Sequence, residues 1–133
     1  MQTKPILTLD DVNTILDAAQ REAEASGWTV TIVVADDGGH PLGLRRLDGA
    51  APMTAIISAE KARSAAVARK ETRIFEEMIN NGRPAFLSAP LSGLLEGGVP
   101  VIVEGQVAGA VGVSGVKADQ DVLVARAGIA ALG

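Results

Sequence analysis

Apolar positions change their period several times along the chain, and each change marks an element. Leu9, Val12, Ile15, Leu16, Ala19 and Ala23 recur at helical spacing. Thr8 and Asp11 ahead of them form a T-x-x-D capping pair, and Gly27 supplies the stop. Trp28 to Ala35 (WTVTIVVA) is rich in β-branched residues. It alternates at its start and is apolar on both faces at its end, which predicts a central strand. After the turn Asp36-Asp37-Gly38-Gly39-His40, Leu42, Leu44 and Arg46 alternate, so the two runs read as a β-hairpin.

Pro52 opens a second helix over about Met53 to Lys70, alanine-rich enough for close packing. Thr72 can cap a third, with Ile74, Phe75 and Met78 on one face and Gly82 ending it. Arg83 to Gly93 reads as a loop. A second hairpin joins Val99 to Glu104 (VPVIVE) with Val107 to Val113, and Pro100 places its first strand at an edge or a strand start. Gly109 and Gly112 indicate close approach of a helix, a ligand or another subunit. Asp119 and Asp121 bias the first turn of a last helix running to about Leu132. The order α-β-β-α-α-β-β-α predicts a single α+β domain over residues 1–133, with a mainly antiparallel sheet.

Composition narrows the function. The chain has 133 residues, 47% hydrophobic and 21% charged, as a globular domain does. Trp28, Phe75 and Phe86 are its only aromatic residues, so aliphatic side chains must fill the core, and a base-stacking surface is not indicated. A net charge of −4 without a basic run argues against nucleic acid as a partner. No segment approaches the ~18–20 apolar residues of a membrane span, and the first residues lack an apolar stretch of signal-peptide length. The expectation is a cytoplasmic protein that does not contact membrane. No G-x-G-x-x-G joins a strand to a helix, so nucleotide binding is not indicated.

Without cysteine or tyrosine, thiolate and phenolate chemistry are excluded, and His40 is the only imidazole. It reads either as a polar residue at the mouth of a hairpin, or as a catalytic base or metal ligand. One histidine without cysteine does not make a four-ligand zinc site, whereas haem iron needs only one or two protein ligands. Arg45 and Arg46 should point to opposite faces, one suited to a carboxylate near His40 or, more simply, paired with Asp48. Glu60, Lys61 and Ser64 share a helix face, read as solvated, with Lys61 free to pair with Glu60, Asp48 or a ligand carboxylate. Asn80-Asn81-Gly82-Arg83-Pro84 reads as a helix end or as a closure over a pocket. Glu96, ahead of Gly97 and Gly98, is either part of a tight turn or a partly buried functional carboxylate.

The ordered segments VVADDGGHPLGLRRLDGA, SAEKARSAAVARKETR, NNGRPAFLS, LEGGVPVIVEGQVAGAVGVSG and DQDVLVARAGIAAL resemble the GlcG/HbpS family from about Leu7 to Leu132. That family includes haem-binding proteins and the C-terminal domain of PduO-type proteins. The resemblance implies a profilin-like fold with a sheet of about five strands. It also implies homo-oligomers built from dimers, octamers among them, and a haem or other small-molecule ligand. On this reading His40 ligates the iron or lies beside it, and Arg46, Lys61 or Arg83 meets the propionates. Glu96 and Gly97 join the cofactor-binding residues. The apolar face of Val107 to Val113 packs on the macrocycle, with Gly109 and Gly112 making room. Two alternatives stand beside it. One is an enzyme acting on a small organic acid, with His40 or Glu96 as proton carrier. The other is a non-catalytic oligomeric accessory protein.

Overall fold

A computed structural model describes residues 1–133. Four helices, α1 (Leu9–Ala25), α2 (Pro52–Ala68), α3 (Thr72–Asn80) and α4 (Ala118–Ala130), surround four strands. The strands are β1 (Thr31–Asp36), β2 (Pro41–Arg46), β3 (Gly98–Val103) and β4 (Gln106–Ser114). They form one antiparallel sheet in the order β2-β1-β4-β3. The sheet therefore has four strands, not the five implied by the resemblance. The two hairpins pair through β1 and β4, and no other segment joins the ladder.

The local signals act as expected at several boundaries. Thr8 and Asp11 close a reciprocal capping box, and Gly27 follows α1 in the left-handed region. β1 is central, as its doubly apolar end requires, and Pro100 lies on the edge strand β3. Thr72 does not cap α3, because Glu71 takes that position. The Thr72 hydroxyl instead donates to Leu95 O and accepts from Gly98 N–H at 2.9 Å. Within the expected loop, Pro84–Ser88 forms a short 3-10 turn, and Phe86 stacks on Phe75 at 5.1 Å.

α1 and α4 cover one face of the sheet. Val12, Ile15, Leu16, Ala19, Ile32, Val34, Val111, Val113 and Val124 build the main core there. Burial of such side chains stabilises by roughly 1.5–3 kcal/mol each. α2 covers the other face through small residues: Ala62 against Val33 and Ala35, and Ala65 and Ala66 against Ala110. The close approach that Gly112 indicates is that of α2, since a Cβ there would lie 2.1 Å from Ser58 O and 2.5 Å from Ala62 N. At Gly109 a Cβ would meet Ala35 O and Leu7. The β4 faces are thus filled from within, which corrects the expectation that Val107 to Val113 could pack on a macrocycle. No helix is long and apolar enough to cross a membrane.

Candidate functional site

His40 ends the turn between β1 and β2 and is exposed. Its position is fixed through the backbone. Asp36 Oδ1 accepts from the N–H groups of Gly38 and His40, both at 2.9 Å, and Asp36 N–H donates to His40 O at 2.8 Å. Gly39 is buried with φ +85°, seated on Arg63 and Val67 of α2. Asp37 ties the turn to two further segments. Its carboxylate meets Lys4 Nζ at 2.8 Å and Arg69 Nη2 at 3.9 Å, and its carbonyl accepts from Arg69 at 2.5 Å. The hydrogen bond from Lys4 holds the Asp37 carboxyl below the usual range. The imidazole folds back over Gly38, and neither ring nitrogen is hydrogen-bonded within the protein. The result is a free imidazole on a rigid turn.

Lys61 lies elsewhere. It is 3% exposed, so the expectation of a solvated Glu60–Lys61–Ser64 face is corrected: Lys61 and Ser64 are buried and Glu60 is half-buried. Thr54, Ser58, Lys61, Ala62 and Ala65 form one buried stripe of α2. Lys61 Nζ donates to Val113 O at 2.8 Å and to Asp121 Oδ2 at 3.2 Å, while Asp121 Oδ1 accepts from Val116 N–H at 3.2 Å. Its partner is therefore Asp121, not Glu60 or Asp48. Burial pushes the Asp121 carboxyl up to about 6, against the opposing pull of Lys61 and the Val116 N–H, and the Glu96 charge adds to the rise. Gly97 is buried against this centre, since a Cβ there would lie 2.6 Å from Lys61 Nζ. Glu96 is half-buried beside it, and its charge also acts on Arg73.

The expected site residues therefore fall into separate places. Lys61, Glu96 and Gly97 gather with Asp121. His40 and Arg46 stand at opposite ends of β2, about 20 Å apart at the strand rise. Arg83 is exposed after α3. Arg46 Nε donates to Ala50 O at 3.0 Å, while Arg45 turns to α1 and meets Asp17 at 2.6 Å and Gln20 at 3.1 Å. Both arginines line a cleft of about 680 Å³ between α1 and β2, with Trp28, Glu24 and Asp48 also on its walls.

Two residues escaped the sequence reading. Asp121 reads from the sequence as a helix-dipole residue, yet Asp121, Val124, Ala125 and Gly128 form the buried stripe of α4, a spacing that could reveal it. Arg63 stands beside the His40 turn, on a stripe with Ile56 and Val67 that could have marked an outward face.

Comparison with known proteins places the chain in a family. Residues 7–130 match the HbpS-like family, described as haem degrading protein HbpS-like. Protein GlcG of Escherichia coli strain K12 is 58% identical over 114 residues, covering 86% of this chain and 85% of that one. The crystal structure of a Streptomyces reticuli HbpS double mutant superposes with a TM-score of 0.90 at 31% identity, covering 100% of this chain and 91% of that one. A PduOC–haem complex shares the fold at a TM-score of 0.87 and 23% identity, with 96% and 95% of the two chains covered. The chain belongs to the HbpS-like family, together with GlcG.

Proposed function

We propose that the protein binds haem through His40. The observation that carries this reading is the chain's single imidazole, exposed, unengaged, and fixed on a turn locked to α2 and to the N-terminal segment. A histidine that holds haem iron offers a ring-nitrogen lone pair not already engaged within the protein, and His40 fits that role. Family membership supports the same ligand class, since the family's description is of haem-degrading proteins. Bound haem would supply a redox-active iron, and the chain's own part is to hold it. Asp36 and Gly39 fix the backbone that carries the imidazole. Leu42 and Val67 offer exposed apolar surface near the turn. Arg46, about 20 Å along β2 from His40 at the strand rise and donating to Ala50 O, is not part of the His40 turn. Lys61 is enclosed and donates to Val113 O and Asp121, so it belongs to the supporting structure rather than to a propionate site.

Hemin titrated into the purified protein is expected to give a saturable, shifted Soret band, weakened at least tenfold in His40→Ala. A flat difference spectrum at micromolar hemin would sink the reading.

A second reading has one observation in its favour, the cleft that Arg45, Arg46 and Trp28 line. It suits a small organic acid. Neither His40 nor Glu96 lines it, so it supports binding of a carboxylate rather than proton transfer.

A further inference from the structure

Three cations surround the His40 turn, and two of them are engaged. Lys4 and Arg69 both bind Asp37, which pins the turn to the N-terminal segment and to the end of α2. Arg63 is the third. Its stem lies directly under Gly39, where a Cβ would come within 2.8 Å of Arg63 Cγ and 3.3 Å of its carbonyl oxygen. The stem is therefore held in place, while the residue is exposed. Its guanidinium forms no ion pair and no hydrogen bond within the protein. Glu60, one turn earlier on α2, does not come within ion-pair distance of it. Val67, one turn later, packs on the same glycine and is 42% exposed. A held stem, an uncommitted planar fork and an apolar neighbour form a site for a carboxylate attached to an apolar body.

We propose that Arg63 reads the carboxylate edge of the ligand that His40 holds, which for haem means the propionates. The assignment rests on the haem reading and deepens it by naming the residue that distinguishes a free acid from its ester.

The test uses hemin and hemin dimethyl ester, titrated separately into the full chain and into Arg63→Gln and Arg63→Lys. Both substitutions keep a Cγ under Gly39, so the turn keeps its seat. Arg63→Gln is expected to raise the Kd for hemin about tenfold, the loss of one charge-assisted contact. It should leave the Kd for the dimethyl ester and both Soret positions unchanged. Arg63→Lys should recover only part of the hemin affinity, since it restores the charge without the fork. Equal weakening for hemin and its ester, or no weakening for hemin, overturns the role of Arg63 and leaves the haem reading standing. Absence of a Soret shift in the unsubstituted protein with either ligand overturns the haem reading, and the assignment with it.

Discussion

Lys61 and Asp121 form the one ion pair of this chain in which both side chains are enclosed. Two charges removed from water lose hydration that their mutual attraction only partly restores, and Asp121 records the imbalance by its raised carboxyl. An acid whose pKa is higher folded than unfolded holds its proton more tightly in the folded state. Its contribution to stability therefore rises as pH falls from 7 through 6 and levels off below its unfolded value near 4. Between pH 7 and pH 5 the gain is about 1 kcal/mol, or about 3–5 °C in Tm for a domain of this size. Thermal melts of the unsubstituted protein and of Asp121→Asn should separate by that amount on acidification. A separation that stays constant from pH 7 to pH 5 would show that Asp121 does not titrate in this window. At this scale the sequence was legible for His40, whose turn is spelled out by DDGGH, and misleading for Lys61. A charged residue in an alanine-rich helix reads as solvated until its burying partners are known, and those come from β4 and α4, more than fifty residues away.

Elements were legible where one local rule decided them: the capping box of α1, the two hairpins, the proline on the edge strand. The number of strands is a property of the ladder. The two hairpins were readable from alternation, while the fifth strand came from resemblance and finds no counterpart in the sheet. The role of the glycines in β4 was left open by the sequence, because a glycine announces close approach without naming what approaches. At Gly112 it is the backbone of α2, with Ser58 O and Ala62 N where a side chain would stand. Close packing of helix on sheet brings Lys61 to Val113 O and lays Gly93 and Gly98 against the backbone of α2. Gly112→Ala must push α2 off the sheet. It is expected to destabilise by about 3 kcal/mol, the upper range for overpacking, read as a fall in urea midpoint. Gly105→Ala makes a useful contrast: nothing lies within 4 Å of its Cβ, so any loss there reports only the positive φ of the β3–β4 turn. A loss at Gly112 no larger than at Gly105 would mean that α2 can retreat freely.

At the scale of the whole molecule, apolar surface is left on the side opposite the main core. Leu42 and Leu44 lie on the face of β2 turned toward α2, and β2 is an edge strand. Met53 and Ile56, 63% and 68% exposed, lie on the outer side of α2 with Val67 beyond them. Aliphatic side chains in this number along one edge strand and its neighbouring helix suit burial against a second copy of the chain. The family resemblance implies self-association, and burial of this surface between copies is the arrangement to test. A copy seated there would also bring new walls to the His40 turn, because Arg63 and Val67 continue the Ile56 stripe of α2. That would supply the apolar cover which β4, filled by α2, does not offer to a macrocycle. The double substitution Leu44→Glu with Ile56→Glu touches neither the main core nor the turn. It is expected to lower the mass seen by light scattering to that of one chain, 13.6 kDa, without lowering the far-UV helical signal. Hemin affinity measured on the same sample then separates two arrangements. A loss on dissociation means that the ligand site is completed across the interface, and an unchanged affinity means that His40 and Arg63 of one chain suffice. A protein that is already a monomer before substitution would remove this surface from consideration as an interface between copies.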